Sequence, residues 1–466
     1  MKINLISHAC IQVTNNNNLS LVTDPWVKSP VFFSSWFLCP EPLINESFFF
    51  TKTNYIYLTH WHFDHFDYKS MRNFNKNIKV FVPKFPCSIM VKELNNLGFF
   101  NICEMVNKKE YELDKNFSII SHQIEHHDDS VLIIKVDGKT IINLNDAKPL
   151  PSSWKWLIKN FYKPEFIFRS HSIAWSFPTK YTFHPEDYEA FEPEIYMREF
   201  IQTIEFLKPK YAVPFASYIC HLHKENITDN KYLITPYDLD KYIKLNYKGE
   251  SQFIIMNPGG KYSDNNGFSN INNYNLEDEI IKLKNKYSDY LEKIYLKEEN
   301  EIFNVNVLEK YFKNFIKATG FLKYTIRKVK WIIETDKKKF LIDFEKSFIG
   351  EVQSFDKKAI TAIIKVHKSV LKNSLEKFIF SNIDIAKRWN IEITKGNVQK
   401  HLYLTALISI YEGGLLPLSK NLFKKRFIIG YLHRLPELID YIKVFLKFRK
   451  GITEVRNYIS GVSKNN

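Results

Sequence analysis

The sequence predicts an α/β protein: two packed sheets flanked by helices over residues 1–262, then a smaller basic α+β domain. Three observations carry this. In the first 260 residues, short apolar runs broken by turns lead into helix-forming segments, twice over. That is the pattern of sheet packed on sheet with helices outside. Residues 257–275, "NPGGKYSDNNGFSNINNYN", are rich in Gly, Asn and Ser and mark a loop. Charge then divides near the same point: residues 1–280 carry a net charge of −3 and residues 281–466 a net charge of +18.

Taken in order, the expected strands cover residues 2–13, 20–23, 54–59, 78–83, 117–122, 131–136, 140–143, 166–168, 211–215 and 252–256. "VDGKT" at 136–140 sets Asp-Gly between two apolar runs, a hairpin signal. Helices are expected near 68–74, 88–97, 185–207 and 236–242. Residues 263–278 read as a linker. Beyond it, Ile280, Leu283, Tyr287, Leu291 and Ile294 recur at helical spacing. "WIIETDKKKFLIDF" at 331–344 reads as two strands around a Lys-rich turn. "AIIKVHKSVLKNSLEKFIF" reads as strand then amphipathic helix, and "RWNIEI" at 388–393 as a further strand. Segments near 402–411 and 435–448 look helical.

A chain of 466 residues exceeds one ordinary core, so two domains are the expectation. Five cysteines form no CxxC pair and leave an odd count, which fits a reducing cytoplasm better than a disulfide framework. The N-terminus lacks a charged segment followed by an apolar one, so no secretory signal is expected. "LYLTALISIY" is too short to span a bilayer. The basic C-terminal half suits anionic partners, although a Lys-rich solvated surface would look the same.

Chemistry concentrates in "YLTHWHFDHFD", residues 57–67. His60 follows an apolar strand, and His62 lies two residues on, so both can converge on one ion. Asp64 and His65 follow on a turn and can reach a second ion nearby. HxHxDH is thus a two-metal cradle in one loop. Asp67, outside the core motif, is expected to support a ligand histidine. His8 could face the metals or cap a turn. His171 and His184 could line the pocket, and the aromatic cluster Phe32, Phe33, Trp36 and Phe37 reads as core or as a wall over the substrate.

This motif resembles that of the metallo-β-lactamase fold superfamily, and the resemblance spans about residues 1–260. "LVTDPW" supplies its "DP" motif as Asp24-Pro25, and "SHAC" resembles the opening of the branch containing L-ascorbate-6-phosphate lactonase and CMP-N-acetylneuraminate hydroxylase. "LTDPWVKSPVFFSSWFLCPEP" resembles the hydroxylase end. The resemblance implies an αββα sandwich with metals at one sheet edge. It implies a third-motif ligand in "SHQIEHHDDS", with His126 favoured, His127 close behind and Glu125 kept open. It implies Asp146 as the ion-bridging aspartate, preceded by Asn145 where most members have Gly. It implies a late histidine, His223, with His221 as its rival.

The expected function is a dinuclear-metal hydrolase using a metal-bridged hydroxide on an anionic ester, lactone or phosphoester, with Asp64 moving the proton. Zinc is the first expectation for the two divalent ions, with iron or manganese as alternatives. The second reading is a dinuclear iron monooxygenase. A Rieske domain's Cys-x-His and Cys-x-x-His pair is not in this sequence, so that reading needs electrons from a separate partner. A third is a non-catalytic metal-binding scaffold. The substrate is expected to be a nucleotide sugar, phosphoester or lipid phosphate. Nucleic acid is not expected, since no module alternates basic with exposed aromatic residues. The C-terminal strand–helix–strand pattern is weakly similar to sterol-carrier domains, which would imply a substrate-holding pocket. An α+β domain that only packs or dimerises fits it equally.

Overall fold

The computed structural model describes residues 1–124, 129–184, 186–187, 193–270 and 273–448. Two sheets of eight and seven strands face each other. Period-2 alternation assigns each side chain its layer. Leu21, Tyr57, Phe81, Ile119, Leu132 and Ile134 point into the core between the sheets. Their neighbours Val22, Ile56, Val80 and Val82 face outward onto Phe74 and onto helices carrying Phe50 and Leu94. On the other side, Ile120, Val131 and Ile133 face outward onto Trp154, Leu157, Phe200 and Ile204. This is the expected αββα sandwich.

Residues 2–13 are not one strand but a hairpin, Lys2–Ser7 and Cys10–Thr14. The turn lies at His8 and Ala9. Hydrophobic alternation alone does not show this break, because both strands keep an apolar face in the same core. Tyr55–Tyr57 pairs in parallel with Ser20–Thr23 and Lys79–Pro83, so the HxHxDH loop leaves the first sheet at the C-terminal end of a central parallel strand. Lys139–Asn145 and Phe166–Ser170 pair in parallel in the second sheet. They release Asp146 and His171 at neighbouring strand ends.

A third sheet of six strands takes Tyr181–Thr182 from the N-terminal half and otherwise lies within residues 330–393. Helix Val305–Thr319 packs Leu308, Phe312 and Phe315 against Trp331, Ile333 and Ile342. Residues 263–278, read as linker, include Gly267–Ser269, which pairs with Lys261–Ser263 at the edge of the first sheet. A cavity of about 480 Å³ opens beside the third sheet, lined by Lys337, Lys365, Lys368 and Arg388 as well as Glu225 and Glu334; its wall is charged. Among the described residues no helix is long and apolar enough to cross a membrane.

Candidate metal centre

The loop after Tyr57 is held by a buried aspartate. Asp24 lies at φ +40°, a strained backbone for a side chain and one that clusters at functional sites. Its carboxylate accepts from Thr59 N (2.7 Å), from Thr59 Oγ1 (2.7 Å) and from His65 Nδ1 (2.9 Å). This fixes the His65 ring and leaves Nε2 facing inward, as a histidine awaiting a cation is fixed. Thr59 Oγ1 also lies 3.0 Å from His60 Nδ1, which turns His60 Nε2 toward His62 Nδ1 at 2.9 Å. Ser130 Oγ reaches Thr59 O (2.8 Å) and Tyr57 Oη (2.8 Å), tying the loop's entry to the facing sheet.

Two donor sets form around His65: His60, His65 and Asp146, and His8, Asp64 and His65. Within each set the ligand atoms lie within 4.8 Å of one another. His65 Nε2 is 3.4 Å from Asp64 Oδ2 and 3.5 Å from Asp146 Oδ1, and His8 Nε2 is 3.2 Å from Asp64 Oδ2. His62 is half-buried beside His60, with ring centroids 4.6 Å apart. His65 Nε2, Asp146 Oδ1 and His8 Nδ1 are buried without a hydrogen-bond partner. Buried polar atoms are normally satisfied, and a carboxylate oxygen facing an imidazole nitrogen without a hydrogen bond fits divalent cations.

Burial opposes charge on His65, yet the Asp64, Asp146 and Asp24 carboxylates hold its pKa well above the imidazole range. Burial likewise opposes charge on Asp64, but His65 and His8 outweigh it and hold that carboxyl well below the carboxylate range. Burial, aided by His65 and His62, pushes His60 well down. The carboxylates around His65 thus favour positive charge at this position, and burial favours the neutral ring of His60.

Asn145, where a glycine is usual, has φ +41°. Asn tolerates this left-handed conformation better than most residues. Its Nδ2 donates to Ser130 O (2.8 Å) and its Oδ1 accepts from Ala147 N (3.0 Å), which locks the turn that delivers Asp146.

The structure redraws three expectations. Asp67 supports no histidine: it caps helix Tyr68–Met71, accepting from Ser70 N (2.9 Å) and Ser70 Oγ (2.6 Å). Asp24 takes that supporting role, and the buried "DP" aspartate was its only sequence signal. His223 is not brought into either donor set. Its Nδ1 accepts from Glu225 N (3.2 Å) and its Nε2 meets Glu298 Oε2 (3.2 Å), so both nitrogens are engaged. His221 Nε2, by contrast, is buried and unpartnered. His171 is also fully buried with neither ring nitrogen hydrogen-bonded, and burial pushes its pKa down to about 3. His126, with its rivals His127 and Glu125, lies outside the described residues. Phe32, Trp36 and Phe37 are core. Trp36 also walls the centre, its ring 6.0 Å from His8 and 6.1 Å from His221.

No family model matches the chain. It is similar to a protein from Mycolicibacterium smegmatis described as a Rieske 2Fe-2S iron-sulfur protein, 27% identical over 48% of this chain and 45% of that protein. It is also similar to the mouse cytidine monophosphate-N-acetylneuraminic acid hydroxylase, 24% identical over 80% of this chain and 68% of the enzyme. The chain spans about half the length of the Rieske-type relatives it matches. Among solved structures it is similar to the isothiocyanate hydrolase from Delia radicum gut bacteria, at 17% identity and a TM-score of 0.41, covering 56% of this chain and 98% of that one. The two facing sheets with helices outside form the αββα sandwich of the metallo-β-lactamase fold, and the chain resembles the branch of that superfamily that includes the CMP-N-acetylneuraminate hydroxylases.

Proposed function

We propose that this chain is a dinuclear-metal enzyme and that its chemistry is hydroxylation with dioxygen. The observation that carries the metal reading is His65, common to two candidate donor sets: its Nε2 and the facing Asp146 Oδ1 are buried without a hydrogen-bond partner. His60, His62 and Asp146 would hold one ion, and His65, Asp64 and Asp146 its neighbour, with His8 beside Asp64. His126 is the proposed third-motif ligand, and His171 or His221 replaces His223 as the late one. Two divalent ions would supply Lewis-acid activation of water or, as iron, of dioxygen.

The chain's own residues provide the rest. Asp24 and Thr59 orient the ligand rings, Asp64 offers an ionised acceptor for a proton, and Trp36 with the buried sheet edge excludes bulk water. Similarity to hydroxylases and Rieske-type proteins favours oxygen chemistry, an electron-donating partner and an anionic small substrate of the nucleotide-sugar kind. Hydrolysis is the second reading, favoured by an all-imidazole and carboxylate donor set that equally suits zinc. Elemental analysis of protein purified without added metal separates them. Iron with substrate-dependent oxygen uptake supports hydroxylation, zinc with turnover of esters or phosphoesters supports hydrolysis, and no bound divalent metal overturns both.

A further inference from the structure

The C-terminal helices invert the usual surface pattern. A surface helix normally buries its apolar stripe and exposes its charges. Helix Leu435–Phe448 does the reverse. Its inward side carries Glu437 and Asp440, 0% and 4% exposed, with Arg434 just before the helix 1% exposed. They are consumed on the sandwich: Lys108 Nζ to Glu437 Oε1 at 2.6 Å, Ser152 N to Asp440 Oδ2 at 2.8 Å, and Arg434 Nη2 to Ile124 O at 3.0 Å. Leu435, Ile439, Ile442 and Leu446 are left outward, each about half exposed, at the spacing of one helical stripe. Leu432 (57%) and Phe423 (86%) extend the stripe over the preceding helix, Lys425–Leu432.

Charge on this face has one sign. Glu437 and Asp440 are the only acidic residues between Gly413 and Phe448, and both are buried. Lys424, Lys425 and Lys443 are exposed beside the stripe. An apolar stripe flanked by lysines with no carboxylate matches the interface of an anionic bilayer, where apolar side chains enter the headgroup boundary and ammonium groups meet phosphates. A second copy of this chain would bring like-charged lysine rims together, which disfavours self-association.

We propose that this face docks on the surface of membranes containing anionic lipid. The test is sedimentation of the full chain with vesicles of phosphatidylcholine alone and of phosphatidylcholine mixed with phosphatidylserine. The chain should pellet with the mixed vesicles and release with salt. Ile439→Glu and, separately, Leu446→Glu should each weaken partitioning at least tenfold. Lys424→Gln or Lys425→Gln should weaken it about fivefold each. Unchanged melting temperature and metal content show that each variant is folded. Failure to bind the mixed vesicles, equal binding to neutral ones, or a dimer that Ile439→Glu converts to monomer without any vesicle binding overturns the proposal.

Discussion

Two buried polar regions of this molecule are built on opposite principles. At the sandwich edge, His65 Nε2, Asp146 Oδ1 and His8 Nδ1 are buried, close together and unpartnered. In the C-terminal domain and where it meets the sandwich, two buried charges, Arg388 and Glu412, are paired. Arg388, 1% exposed, donates to Glu225 (2.6 Å), Glu298 (3.0 Å) and Phe33 O (2.7 Å). Glu412, 3% exposed, accepts from Tyr311 Oη (2.6 Å) and Ser381 N (2.9 Å). An isolated buried charge is costly, so a folded chain satisfies it internally or by a ligand. Arg388 and Glu412 are satisfied within the chain, whereas His65 Nε2 and Asp146 Oδ1 are not.

His65→Ala should break this contrast most. It removes the ring that Asp24 orients toward the centre, so metal content measured by plasma emission should fall to one ion or fewer per chain and turnover should vanish. Two metals retained would remove His65 from the ligand set. Asp24→Asn removes the carboxylate behind His65 without touching a metal, and metal affinity should fall about 10–100-fold by competition with a chelator. Glu412→Ala acts on the paired side. It leaves the N–H groups of Phe380 and Ser381 unpaired, which costs about 3 kcal/mol in denaturant unfolding, with metal content unchanged.

Asp384 sharpens the comparison by pH. Burial raises its carboxyl to about 6 from an ordinary 3.8, against its bond from Ser176 Oγ and the bond from Tyr181 Oη. The folded state then binds the proton more tightly than the unfolded state. The associated stability is complete below pH 3.8 and is lost as pH rises to about 6. Asp384→Asn should flatten that decline, a difference of up to about 3 kcal/mol in the pH dependence of unfolding. His223→Gln should have the smallest effect. It should retain both metals and lose about 1 kcal/mol of stability; loss of a metal would restore His223 to the ligand set.

Much of this was legible before folding was known. HxHxDH at the end of an apolar strand marked His60, His62, Asp64 and His65, because side chains that close in sequence share one loop. Asp146 was legible only through the family resemblance, as the aspartate expected at the end of a strand. His8 was legible only as one of two readings, facing the metals or capping a turn, because residues 2–13 read as continuous alternation and the hairpin that turns His8 inward leaves no turn signature. Asp24 lies 35 residues before Thr59, while Asp67 adjoins the motif. Only the fold shows that one bonds His65 and the other caps a helix. His221 and His223 are two residues apart, and their different fates depend on Glu298, which comes 75 residues later.

The sequence by itself determined the sandwich, the metal-binding loop and the basic C-terminal half, because periodicity, local motifs and charge are properties of neighbouring residues. The tertiary structure decided which histidines face one another, which carboxylates are already paired, and that a helix buries its acids and exposes its leucines. Each of these depends on what distant segments bring to the same place, and burial there sets whether a polar atom is satisfied or left for a ligand.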